Sequence, residues 1–129
     1  MIAVIFAYLL FVVILAWDNA KRIGKDKKIK HWLNAICHLS MAGILYTVDW
    51  ELSVAFLFLV KLVFDTALNL FRGEGIDYIS PEIKKITSLW MALRKGKFAD
   101  YIEYKIFGNN GYTPKIVYLI IAVCLLRVR

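Results

Sequence analysis

Little in this chain equips it for chemistry in water. It contains only two cysteines, Cys37 and Cys124. Each lies inside an apolar run without metal-ligand or paired-thiol spacing, so both are expected to be reduced packing residues. No phosphate-binding glycine loop, nucleophile elbow or paired-cysteine site occurs, and these absences remove the sequence support for a nucleotide enzyme, an α/β hydrolase or a redox protein. Prolines number two, Pro81 and Pro114. Acidic residues are scarce, ten against 17 bases. Charge is missing altogether from residues 1–17 and 32–48, and residues 52–71 carry only Lys61 and Asp65.

What is present is hydrocarbon. Hydrophobic residues make up 60% of the 129 positions, against roughly 45–50% in soluble domains, and the mean hydropathy is +0.61. A single domain of this length has too little interior to hide that much apolar surface. A bilayer core of roughly 30 Å takes about 17–25 helical residues, so residues 1–17, 32–48 and 52–71 are read as spanning helices. The runs are continuous rather than alternating, which argues against barrel strands. Residues 116–126 are short for a span. Extending them back to 112, with Lys115 snorkelling, gives a fourth, and a re-entrant or surface-lying helix is the alternative. The fold class is therefore all-α: one membrane domain over 1–129, three to four spans and an interfacial helix. The first run lacks the basic flank and small-residue cleavage site of a signal peptide, so it is read as a permanent helix.

Charge sets the orientation. Lys21, Arg22, Lys25, Lys27, Lys28 and Lys30 crowd the first connection, the short second one carries Asp49 and Glu51 without a base, and residues 72–115 hold eight bases. The positive-inside rule then places connections 18–30 and 72–115 in the cytoplasm and residue 1 outside, in an inner membrane. A spanning fourth helix would leave Arg127 and Arg129 on the disfavoured side. The net charge of +7 admits nucleic acid or anionic headgroups as partners. The bases cluster at the ends of apolar runs, which favours lipid and argues against nucleic acid. Trp17, Trp32 and Trp50 stand at such ends too, where indoles settle at headgroup level.

Residues 81–107 read as an amphipathic helix lying on the cytoplasmic surface. It opens at Ser80-Pro81, with Ile83, Ile86, Trp90, Leu93 and Phe98 down and a basic remainder. Arg72, Lys84, Lys85, Arg94, Lys95 and Lys97 are the expected headgroup contacts. Gly96 is a possible break, and Gly108-Asn109-Asn110-Gly111 a turn.

The polar residues within the apolar runs are the candidates for function. Lys61, Asp65, Asn69 and Arg72 share a helix face by their spacing, as do His31, Asn34 and His38. Charged groups at bilayer depth turn inward and pair. A tight turn around 48–51 makes the second and third helices antiparallel, which brings His38 level with Lys61 and Asn34 with Asp65. A buried network of Lys61, Asp65, Asn69, His31, Asn34 and His38 is expected, centred on Asp65. Structural glue between helices, a proton or ion path and a metal or catalytic site are its possible roles. The seven-residue step from His31 to His38 argues against a shared metal. No cofactor or catalytic residue is expected.

The run Phe64-Asp65-Thr66-Ala67-Leu68-Asn69-Leu70-Phe71-Arg72-Gly73, followed by Tyr78-Ile79-Ser80, resembles small uncharacterised polytopic membrane proteins of Bacteroidetes and their phages. So does the basic loop entering a helix at Lys28-Ile29-Lys30-His31-Trp32. Ser80 stands where that pattern has glycine. The resemblance covers residues 15–80. It implies a host membrane and a phage or prophage setting, and carries no mechanism. The expected function is membrane assembly or binding, holin-like in one version and homo-oligomeric in some, rather than catalysis. A proton- or ion-conducting unit built on Asp65, Lys61 and His38 is the alternative. An embedded enzyme on a lipid or polyprenyl phosphate, with Arg72 and His31 near the headgroups, comes third.

Overall fold

A computed structural model of the chain describes residues 1–25, 27 and 31–127, and of His31 the backbone alone. Asp26, Lys28, Ile29, Lys30 and Arg129, and the His31 side chain assigned to the polar network, lie outside the described residues. Among the described residues there are seven helices and no strand: α1 (Ile2–Gly24), α2 (His31–Tyr46), α3 (Trp50–Phe71), α4 (Pro81–Lys84), α5 (Leu89–Arg94), α6 (Phe98–Phe107) and α7 (Tyr112–Arg127).

Both α1 and α3, with 23 and 22 residues, are long and apolar enough to cross a bilayer. Their apolar side chains are mostly not turned inward. Ile2, Phe6 and Ile14 of α1 are 85%, 63% and 60% exposed, so this helix presents a hydrophobic flank left open among the described residues. Trp32, Ile36, Leu39 and Ile44 do the same on α2.

The bundle is organised on α3, along which α1, α2 and α7 each pack. Val12, Ala42, Leu45, Leu52, Phe56 and Val60 form the buried core between α1, α2 and α3. Ala16, Ala55 and Ala122 have no exposed surface at all, and such small side chains let helix backbones approach closely. Asp49 starts α3, its carboxylate accepting from the Glu51 and Leu52 amides at 2.8 and 3.1 Å, which satisfies two of the donors a helix start leaves open.

Three contacts fix the directions. Ser53 donates its hydroxyl to the Ala42 carbonyl at 2.7 Å across the tight turn, so α2 and α3 are antiparallel. Tyr8 stacks edge-on against Phe56 at 5.3 Å, while Ile23 reaches the region of Leu68 and Arg72, so α1 runs parallel to α3. Tyr118 lies 5.4 Å from Phe58, and Lys115 lines the same space as Lys61 and Phe64, so α7 is antiparallel to α3. The Ser53–Ala42 bond also shifts the α2–α3 pairing by one helical turn from the expectation. His38 falls level with Leu57 rather than Lys61, and Asn34 level with Lys61. The turn is tighter than the sequence count allowed, because α2 ends at Tyr46 and α3 begins at Trp50. Consequently α2 begins level with about Phe64 and α7 begins near the same height, so the last two turns of α3 project beyond their neighbours.

The segment 81–107 differs from the single amphipathic helix expected. It is three short helices. Ser88 restarts the chain as a cap, accepting from the Met91 amide at 3.2 Å, and Gly96 adopts φ +67 between α5 and α6, a left-handed conformation that ends a helix. The break rotates its apolar residues apart. Ile83 and Ile86 turn inward with Ala92 and Tyr101 to form a small core of their own, whereas Trp90, Leu93 and Phe98 point out, at 68%, 52% and 43% exposure.

The loop after α3 is held in place by a close backbone approach. A Cβ on Gly111 would lie 2.0 Å from the Asp77 carbonyl oxygen, so only glycine lets the turn before α7 seat against residues 75–78. Asn110 then caps α7, accepting from the Tyr112 and Thr113 amides, each at 3.1 Å.

Candidate functional site

The projecting end of α3 is roofed by the residues that follow it, and a cleft of about 960 Å³ lies beneath that roof. Its wall toward the bundle is apolar, from Ala35, Leu57, Val60, Phe64 and Leu68. Its other wall is α6 and the first turn of α7. Among the described residues α2 and α7 both pack on α3 but not on each other, and the cleft runs between Asn34 and His38 on one side and Pro114 and Lys115 on the other, as a groove along α3 down to Val60 and Leu57.

Lys61 is the hub. Its ammonium pairs with Asp65 one turn along α3 at 2.6 Å, reaches Asp100 on α6, and has Glu103 of α6 at 3.9 Å. Glu103 in turn accepts a hydrogen bond from the Tyr118 hydroxyl of α7 at 2.6 Å. Three helices are thereby tied through one cation. The Lys61 and Asp65 side chains each keep 22% exposure. Level with them stand Trp32 on α2 and Trp17 on α1, the latter carrying the Lys21 ammonium 3.4 Å from its ring centre. The pair thus sits level with the first turns of α2 and α7.

The other sequence candidates are dispersed around this hub. Asn69 is buried and donates to the carbonyls of Ile76 and Tyr78, both at 3.3 Å, so it fastens the loop that roofs the cleft. Asn34 lines the cleft. His38 lines it too, but its Nδ1 shares a hydrogen bond of 3.0 Å with the Tyr8 hydroxyl of α1, one turn away from Lys61. Arg72 lies over the Tyr78 ring at 5.1 Å and faces the cleft. Lys97 pairs with Glu82 at 2.8 Å. That bond and the positive charge hold the Glu82 carboxyl below the usual carboxylate range. Lys84, Lys85, Arg94 and Lys95 are exposed.

Four residues of the cluster were not among the sequence candidates: Asp100, Glu103, Tyr118 and Lys115. On an amphipathic segment, acids read as a solvated face. The available signal was the spacing of Asp100, Glu103 and Phe107, which shares one helix side, together with a lysine–aspartate pair on α3 for which α2 offers no charged partner. Lys115 is 9% exposed, and its ammonium donates to the Gly111 carbonyl at 3.3 Å. Among the described residues no carboxylate lies within ion-pair distance of Lys115 or Arg72.

The arrangement is one of charge and shape. Among the described residues no group of three or more His, Cys, Asp and Glu side chains is placed to hold a metal ion; the three carboxylates converge on an ammonium instead. Cations without carboxylates, a hydrogen-bonded acidic cluster and a greasy wall share one opening, which suits a molecule with a polar head and a hydrocarbon tail. Comparison with protein-family models, curated proteins and solved structures finds no match to this chain.

Proposed function

We propose that this chain is a small polytopic inner-membrane protein that works by binding in the membrane, its cleft taking the polar end of a lipid-like amphiphile. In this reading α1, α2 and α3 cross the bilayer, and α7 crosses back beside α3. The connections 18–30 and 72–115 lie in the cytoplasm and residue 1 outside. Supporting it are the uncovered apolar flanks of α1 and α2, tryptophans at both ends of the apolar band, and the basic excess on one side. The antiparallel course of α7 along α3 supports a fourth crossing, despite Arg127 at its far end.

The single observation that carries the binding role is the character of the cleft. It has charged groups at the level of Trp17 and Trp32 and an apolar floor along Leu57 and Val60, leading into the groove between α2 and α7. A headgroup would meet Lys115 and Arg72 while its chain followed the groove. The likeness to small membrane proteins of Bacteroidetes and their phages supplies a setting. A holin-like form of the same role would dissipate the membrane potential on overproduction, whatever occupies position 65.

Native mass spectrometry of the protein released from detergent tests the binding role. Retained lipid is expected, reduced at least several-fold in Lys115→Met and Arg72→Gln and unchanged in Lys84→Gln. A chain that emerges without lipid under conditions that preserve its fold would rule the role out. A second reading, a proton path, draws on the chain of proton-bearing groups from Asp65 through Lys61 and Glu103 to Tyr118. It requires proton flux in proteoliposomes that Asp65→Asn abolishes while insertion persists.

A further inference from the structure

The cytoplasmic segment has two apolar faces, and its own small core uses only one. Ile83, Ile86, Ala92 and Tyr101 close that core. Leu89, Trp90, Leu93 and Phe98 are a second apolar set, exposed among the described residues, with Trp90 the most open at 68%. The charge within this stretch of sequence is of one sign, and the acid beside it is Glu82, which lies near Lys85, Lys95 and Lys97. From residue 83 to residue 98 the sequence holds Lys84, Lys85, Arg94, Lys95 and Lys97 and no acid. Lys97 is occupied by Glu82. Lys84, Lys85, Arg94 and Lys95 are exposed, and among the described residues none of these four is in an ion pair. A hollow of about 330 Å³ lined by Met91, Arg94 and Lys95 opens between the apolar and basic parts.

An indole and three aliphatic or phenyl groups bordered by exposed cations match a bilayer surface in both of its properties. The hydrocarbon groups reach the acyl boundary while the cations remain among anionic headgroups. Each base near such a surface adds to the attraction. A soluble protein partner would meet this many desolvated lysines only if it were strongly acidic. The covalent link to α3 and α7 meanwhile keeps the segment close to a leaflet.

We propose that Leu89, Trp90, Leu93 and Phe98, with Lys84, Lys85, Arg94 and Lys95, form a foot that docks on the anionic cytoplasmic leaflet. This foot differs from the face the sequence pattern pointed to, since Ile83 and Ile86 are not part of it. It rests on the topology proposed above but not on the cleft's having a ligand. Because α5 packs on α6 and α6 carries Asp100 and Glu103, the foot also ties the leaflet to the wall of the cleft.

The experiment uses the full chain in vesicles, with Trp17, Trp32 and Trp50 replaced by phenylalanine so that Trp90 alone reports. Vesicles of phosphatidylcholine with and without phosphatidylglycerol are compared. With phosphatidylglycerol, Trp90 emission should shift to the blue and be quenched by brominated acyl chains. In pure phosphatidylcholine, or in K84E/K85E/R94E/K95E, quenching should fall at least two-fold. A spin label on Leu93→Cys in a Cys37→Ala, Cys124→Ala chain provides a second measurement of depth should the tryptophan-poor chain fail to fold. Water-like emission in both vesicle types, in a chain that resists carbonate extraction, would overturn the foot and leave the topology standing. Equal quenching in both would overturn its anionic selectivity. Protection that appears only when vesicles hold more than one copy would assign the face to self-association instead. A chain that carbonate extracts would refute the topology itself.

Discussion

The ammonium of Lys61 on α3 bridges Asp65 of its own helix and Asp100 of α6. The bundle built on α3 and the segment that roofs its end are thereby joined by one side chain. Because the bridge is partly exposed, its value lies less in Coulomb energy than in what its loss would leave behind: three carboxylates gathered beside the apolar wall of the cleft.

Replacing Lys61 with methionine should therefore destabilise more than replacing any one of its partners. Breaking a fully buried pair costs about 3–5 kcal/mol. With 22% of the side chain exposed, on the order of 1–3 kcal/mol is expected here once solvent screening is allowed for. The double change Lys61→Met, Asp65→Leu should recover part of it. Thermal melting in detergent, read by tryptophan emission, checks both.

Gly111→Ala should cost about 1–3 kcal/mol, as overpacking does, since the new methyl would meet the Asp77 backbone. Gly43→Ala is the control. A Cβ there has nothing within 4 Å, and an alanine inside α2 should be neutral or stabilising by up to about 1 kcal/mol. Equal melting temperatures for the two variants would refute the close approach.

Tyr8→Phe removes the hydroxyl bonded to His38 and leaves the ring packing on Phe56 intact. A loss of about 0.5–1.5 kcal/mol is expected. The same loss in His38→Phe, with no further loss in the double variant, would establish that the two side chains act as a pair.

The Lys97–Glu82 pair makes the segment 81–107 sensitive to acid. Its carboxyl is held below the usual range, so its contribution is present above that range and fades as pH falls through the lowered value. Hydrogen exchange of α4 and α5 should rise on acidification. Glu82→Gln should remove this component, and Lys97→Met should raise the Glu82 titration, followed by carboxyl NMR, toward the ordinary range, with Lys95 and Lys85 still lowering it. The effect should be small, as exposed pairs are.

The helices were legible in the sequence because each apolar run is uncharged and continuous, and α2, α3 and α7 begin or end within a few residues of the expected bounds. The Lys61–Asp65 pairing was legible because four-residue spacing fixes it within one helix. What crosses between helices was less so. One turn of register between α2 and α3 moved His38 from Lys61 to Tyr8, and a count from the sequence cannot resolve a single turn when the connecting loop is so short. The break at Ser88 and Gly96 was half visible in the glycine. Its result, that Ile83 and Trp90 end on different faces, depends on a local core that amphipathic spacing does not encode.

The helices flanking α3 have a mechanical consequence. With 16 residues each, α2 and α7 extend about 24 Å, several ångströms less than a typical hydrocarbon slab of roughly 30 Å. On the proposed topology the surrounding bilayer must dimple to meet them, at a cost that grows with every ångström of mismatch. Two copies that share one dimple deform less lipid than two apart. Elastic stress in the membrane thus draws copies of the protein together without any contact surface between them, and it disfavours thicker membranes.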